Sequence, residues 1–270
     1  MNVSEILSGL VGPQSWSGLG LTVTRLRDLV IVDLGSRSLV IACDSNASIG
    51  DLPADHLKQD PRITGYSVAK VPLMEVLAVG ATPFLIVDNL CCDLLVTGVR
   101  ILQGIKDIVD EAGLEVMITG SDESNMPTRQ TGVGITVMGV LDTAALRVGT
   151  ARPGDELWVV GRRRSGIGVD AYAERDGSTA SAVHVAAATR LPGVHEVLPV
   201  GSHGIRFEAL ELARTANAGV QLRDDVDTDL GASAGASTCF LVACDPERAD
   251  GLRSLALPLE LVGSVRSTEE

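Results

Sequence analysis

The hydrophobic positions of the chain fall into short runs broken by Gly, Pro and acidic residues, and most of these runs read as strands. LVIVD (29–33) and LVIAC (39–43), separated by a turn with Gly35 and Ser36, predict an antiparallel hairpin. From Ser67 to Val79 the positions Val68, Val71, Met74 and Ala78 follow helical spacing, but Pro72 lies among them. An interior proline costs about 3 kcal/mol and removes a backbone donor, so this helix either starts near Pro72 or kinks there. Residues 97–112 carry a clearer apolar stripe, Val99, Leu102, Ile105, Ile108, Val109 and Ala112, with Thr97 as the expected cap and Gly113 as the stop. The run LEVMIT follows as a strand, and GVGITVMGVLD closes the first half.

The boundary between halves falls near Arg147 to Gly154, which divides the chain into 1–148 and 149–270. A Pro-Gly turn then opens the strand ELWVV. An Ala-rich helix around 180–190 comes next, followed by a helix from Arg206 to Ala218 stopped by Gly219, and by a small-residue loop feeding FLVAC. Residues 3–11 read as a short amphipathic segment ahead of a Gly/Pro/Ser-rich stretch ending at Gly20.

Composition narrows the class. Apolar residues make up 45% of 270, yet there are only three Phe, two Trp and two Tyr, so the core is aliphatic; with 29 glycines this favours α/β layering with many tight turns. The net charge of −13 argues against a nucleic-acid partner, whose backbone recruits Lys and Arg, and against an anionic membrane surface. No basic region precedes the first apolar residues and no apolar run approaches the length of a membrane span, so neither a signal peptide nor a span is expected. The five cysteines are odd in number and form no C-x-x-C pair; Cys43, Cys239 and Cys244 sit in apolar runs, as small hydrophobes do. A reduced, cytoplasmic protein is the expectation.

Candidate chemistry lies in the acids. Asp44 and Ser45 follow the second strand, Asp51 and Asp55 occupy the next loop, and Glu75 is the one acid of an apolar helical segment. Carboxylates from a strand end, a loop and a helix suit a hard cation such as Mg²⁺; each also has an ordinary reading as a turn, a cap or a solvated loop acid. Residues 116–140 repeat the arrangement, with Gly120, Asp122, Glu123 and Asn125 between two strands. Lys70 reads as a phosphate contact or a surface lysine, and Arg162, Arg163 and Arg164, before Ser165-Gly166-Ile167-Gly168, as a phosphate contact or a solvated turn. His203, in Gly201-Ser202-His203-Gly204, suits a general base near neutrality or a turn preceding a helix; Asp170 and Glu208 are alternative bases.

The strings GYSVAKVPLMEVLAVGATP and ITGSDESNMPT resemble signatures of the aminoimidazole ribonucleotide synthetase superfamily, also called PurM-like, which includes thiamine monophosphate kinase, selenophosphate synthetase and the hydrogenase maturation factor HypE. The resemblance covers roughly residues 25–245. It implies an α/β (α+β) fold of two domains, the N-terminal sheet pairing across a homodimer to close a barrel, with ATP in the cleft between domains. By the same resemblance Asp44, Glu75 and Asp122 hold Mg²⁺ and ATP phosphates and Gly120 belongs to the nucleotide site; from the residues alone, Asp51 is a further candidate metal contact and Lys70 a candidate nucleotide contact. Asp28 is the survivor of a Gly-Asp-Asp-Ala-Ala-Val-like string, here Leu26-Arg27-Asp28-Leu29. The first cysteine is inside a strand and the chain ends STEE, unlike selenophosphate synthetase and HypE. IACDSNASIGD, PVGSHGIRFEALELA and SAGASTCFLVA are most similar to the synthetase-related branch that includes the α-ribazole kinases of cobalamin salvage. That branch implies γ-phosphoryl transfer from ATP to the hydroxyl of a small nucleoside-like acceptor; a thiamine monophosphate kinase-like or other ATP-dependent enzyme and a non-catalytic nucleotide-binding scaffold are the alternatives.

Overall fold

The computed structural model describes residues 14–16, 20–165 and 177–268. The predicted segment 3–11, Gly166, Gly168 and Asp170 lie outside the described residues. The first half runs β1 (Gln14–Trp16), β2 (Leu21–Leu26), β3 (Leu29–Asp33), β4 (Arg37–Ala47), β5 (Ile49–Gly50), β6 (Leu57–Lys58), α1 (Pro61–Ala78), β7 (Thr82–Leu90), a π-helical turn (Leu94–Gly98) continuing into α2 (Val99–Glu111), β8 (Met117–Asp122) and β9 (Gly132–Asp142). The second half follows as β10 (Glu156–Val160), α3 (Ala182–Ala188), β11 (Val194–Pro199), α4 (Gly204–Thr215), β12 (Gly219–Leu222), β13 (Phe240–Cys244) and β14 (Leu259–Arg266).

Two sheets result. The larger is ordered β1-β2-β3-β4-β9-β7-β8, and the smaller β11-β13-β10-β14-β12. The expected hairpin forms, with Val30 opposite Ile41 and Val32 opposite Leu39. Its second strand is longer than the apolar run, because β4 stays paired with β9 from Arg37 to Ala47. Asp44 and Ser45 therefore lie within the strand and not after it.

The helix expected near Pro72 starts at Pro61, eleven residues earlier by position. Asp60 caps it by accepting from the Arg62 N–H at 2.9 Å, and Pro61 takes the first turn, where a missing N–H costs nothing. The start was hidden by burial on almost every side: Thr64, Val68, Ala69, Lys70, Leu73, Met74 and Val76 are all buried. A helix wrapped by protein carries no one-sided apolar stripe. It packs on β4, β9 and α2 in its own half and on α3 and β11 in the other. Gly65 and Gly104 bring α1 and α2 backbone to backbone, since a Cβ at either would strike the opposite main chain.

Other boundaries shift for local reasons. The predicted cap Thr97 is buried within the π-helical turn; Asp93 caps instead, accepting from the N–H groups of Leu95 and Val96 at 2.9 and 3.1 Å. Helix α4 ends at Thr215, before the left-handed Asn217 (φ 53°), and Gly219 opens β12. Cys43 is exposed, unlike Cys239 and Cys244. One face of the large sheet is covered by α1; the other carries the partly exposed Leu39, Ile41, Leu85, Val87, Met138 and Val140. Among the described residues no helix is long and apolar enough to cross a membrane.

Candidate active-site cleft

A cleft of about 1070 Å³ opens where the two sheets meet. The first half supplies Asp28 from the β2–β3 turn, Asp44 and Asn46 from β4, and Ser67, Val71 and Glu75 from one face of α1. The second half supplies Arg164 and Ser165, Gly201 and Ser202 before α4, and Gly235 and Ala236 before β13. The first-half wall thus gathers three acids, with Arg25 and His56 also lining it, while the other is built of small residues with one arginine.

The acidic wall is electrostatically unsettled. Burial pushes the Asp44 carboxyl up, against a backbone hydrogen bond that holds it down, and Asp28 adds repulsion. Glu75 is raised well above the ordinary carboxylate range, by burial first and then by Asp28, Asp44 and Glu208. Its Oε2 is buried without a hydrogen-bond partner, and so is Oδ1 of Asn46. Buried polar atoms are ordinarily paired, and both of these residues line the cleft, where a ligand group or ion can meet them. Beneath the cleft a small cavity of about 30 Å³ is lined by Arg27, Asp28, Glu75, Glu208 and Ser237, among others. Burial and Asp28 together push Glu208 up to about 7.

The remaining sequence-derived candidates are distributed elsewhere. Asp122 ends β8, hydrogen-bonded to Ser124, and lies three strands from Asp44 in the sheet order. At strand spacings of about 4.8 Å this is about 14 Å, too far to share an ion. Its acidic neighbour is Asp88, raised by burial and by Asp122. Gly120 serves that edge, because a Cβ there would collide with Asp88. Asp51 is exposed and paired with Arg100 at 2.5 Å. Asp55 is buried and structural, accepting from Leu52 N at 2.9 Å and from Thr131 N and Oγ1 at 2.7 Å. Lys70 is no surface lysine: it is 1% exposed, and its Nζ approaches the Ala180 carbonyl at 3.5 Å. His203 is exposed and tilted against Phe207, ring centroids 4.7 Å apart, outside the cleft lining. Among the described residues no group of three His, Cys, Asp or Glu has the closeness to chelate a metal by itself.

Sequence reasoning passed over Asn46, Arg27 and Glu196. For Glu196 a signal existed, a lone acid inside the apolar run VHEVLP. Its side chain is fully buried and ion-paired with Arg27.

Residues 27–141 match the family model described as AIR synthase related protein, N-terminal domain. These residues therefore belong to the PurM-like superfamily. Solved structures carry the likeness across the chain at the level of fold. Thiamine-monophosphate kinase from Stenotrophomonas maltophilia K279a is 15% identical over 94% of this chain and 89% of its own, with a TM-score of 0.62. T. maritima PurL complexed with ADP is 20% identical over 91% of this chain, with a TM-score of 0.63; this chain spans 41% of PurL's length. AaThiL complexed with AMPPCP and TMP is 14% identical over 89% of this chain and 84% of its own, with a TM-score of 0.60. No curated protein sequence matches the chain.

Proposed function

We propose that this PurM-like protein is an ATP-dependent small-molecule kinase that passes a γ-phosphoryl group to a hydroxyl of a nucleoside-like acceptor. The observation that carries the reading is the acidic wall of the cleft, where Asp28, Asp44 and Glu75 come together and Glu75 keeps an orphaned oxygen. Solved neighbours of the same fold in complex with ADP, ATP, and AMPPCP with TMP support a nucleotide as the occupant.

The acids fit Mg²⁺ in the way phosphate-handling sites use it. Mg²⁺ keeps several waters and takes one or two carboxylates plus substrate phosphates, so a complete protein cage is not required. Asp44 and Glu75 would hold the ion, with Asp28 beside them; when bound it would neutralise triphosphate charge, which is most of what phosphoryl transfer demands. Asp122 and Asp51 are not carried into this set, for the separation and the Arg100 pairing given above. The opposite wall offers Arg164 and the small residues Gly201, Ser202, Gly235 and Ala236, where a ligand can approach the backbone closely. Neither Glu208 nor His203 lines the cleft itself; Glu208 shares the small cavity with Asp28 and Glu75 and its carboxyl is raised to about 7, which makes it the base we propose.

α-Ribazole is the acceptor favoured by the sequence strings, and thiamine monophosphate the one favoured by the two kinase neighbours. The deciding experiment incubates the protein with Mg²⁺ and ATP and either acceptor, following the phosphorylated product by mass. Transfer to one acceptor identifies the branch. Tight Mg·ATP binding without transfer to either would favour a scaffold, and absence of ATP binding would overturn the reading. The partly exposed face of the large sheet, with Ile41, Val87 and Met138, supports a second copy as partner; sedimentation as a monomer alone would overturn the homodimer.

A further inference from the structure

We propose that Arg27 is the positioning residue of the cleft: anchored on Glu196 of the other half, it holds the β2–β3 turn so that the Asp28 carboxylate faces the ligand. The inference rests on the reading of Asp28 as a group of the nucleotide site.

The turn is a two-residue connection. Leu26 pairs with Leu29, which leaves Arg27 and Asp28 as the whole loop. Arg27 has a φ of 56°, a conformation that suits glycine and costs other residues on the order of 1 kcal/mol. An arginine at such a point needs something that holds it there. Its side chain is 6% exposed and donates from Nη2 to Glu196 Oε1 at 2.5 Å and to Thr215 Oγ1. The contact spans 169 residues of sequence and joins the first sheet to β11 and the end of α4.

The anchor is itself immobile. Glu196 also accepts from three successive backbone N–H groups, Gly149 at 3.0 Å and Thr150 and Ala151 at 2.9 Å, in the segment that connects the two sheets. A carboxylate fixed by three main-chain donors cannot follow a departing guanidinium. Arg27 leaves its own Nε buried without a partner, so its place is set by the anchor and not by fullest hydrogen bonding. It lines the small cavity beside Asp28, Glu75 and Glu208, a fixed cation among three acids. Asp28 is the next residue in the chain and lines both this cavity and the cleft. Releasing Arg27 frees the short turn and, with it, Asp28.

The test is calorimetric titration of the full chain with Mg·ATP, comparing wild type with R27G, R27K, D28N and the R27G/D28N double variant. Glycine accepts the positive φ, so R27G removes the guanidinium without adding backbone strain. Losses of about tenfold in affinity are expected for both R27G and D28N, with partial recovery in R27K. Because Arg27 acts through Asp28, the double variant should bind no more weakly than D28N alone. Wild-type affinity in R27G alongside a clear loss in D28N would overturn the positioning role while leaving the site intact. Multiplying losses in the double variant would overturn it equally. Wild-type affinity in D28N would remove Asp28 from the nucleotide site, and the positioning role with it. Should R27G fail to fold, R27Q, which keeps most of the side-chain length, carries the same comparison.

Discussion

Glu75 and Glu196 are both buried glutamates near the junction of the two halves, and they differ in what meets them. Glu196 is satisfied at every turn, by Arg27 and by three backbone N–H groups. Glu75 has an oxygen with no partner, and the charges that shift it are carboxylates that repel it. Burial alone does not separate structural from functional acids; completeness of pairing does. Asp55 belongs with Glu196 by this criterion.

The sharpest way to break this comparison is to neutralise its satisfied member. Glu196→Ala leaves three N–H groups unpaired and strips Arg27 of its carboxylate, and removing one partner of a buried pair costs about 3–5 kcal/mol. Urea denaturation should show that loss as a lower midpoint; a loss below about 1 kcal/mol would show the network to be dispensable. Asp55→Ala should cost less, about 1–3 kcal/mol, through its orphaned donors at Leu52 and Thr131. Glu75→Gln should do the reverse of both. It relieves repulsion from Asp28, Asp44 and Glu208, so stability holds or rises while Mg·ATP affinity falls about tenfold or more, readable by paired thermal and binding titrations.

A pH prediction sharpens the same contrast. Glu208 has a folded-state value of about 7 against an ordinary 4.5, so the folded state binds the extra proton. Its contribution to stability is therefore full below about pH 4.5 and is lost as pH rises through about 7. Glu208→Gln should flatten that decline, with its largest gain in thermal midpoint above pH 7; a gain equal at pH 5 and pH 8 would count against the raised value. The smallest effect is expected from Asp122→Asn, which should lower Mg·ATP affinity less than Asp44→Asn does. Equal losses would bring Asp122 into the same site.

The sequence revealed most of the strands, because Gly, Pro and polar residues break their apolar runs; even β13, buried at every position, reads as the continuous run FLVAC. The first turns of helix α1 resisted: helical spacing was legible only from Ser67, Pro72 argued against the interior, and burial on almost every side left no one-sided stripe; Asp60-Pro61 was the readable start signal. Asp44 and Glu75 were legible as acids interrupting apolar runs. Their separation from Asp122 was not, because strand order is decided by long-range pairing of β4, β9 and β7, which no local pattern encodes. Arg27 was invisible for a similar reason: its partner lies 169 residues away, and nothing in Leu26-Arg27-Asp28-Leu29 announces a left-handed turn.

The position of α1 also bears on how the molecule comes apart. The helix is wrapped by β4, β9 and α2 from one half and by α3 and β11 from the other, and the larger of two core clusters, from Leu29 to Leu257, draws on both halves. Neither half can melt without wetting one side of that shared helix. Heat and denaturant should therefore find one cooperative transition reported alike by Trp158 in the second half and by backbone circular dichroism, and a chain cut after residue 148 should carry a sticky apolar flank in place of an independently folding module.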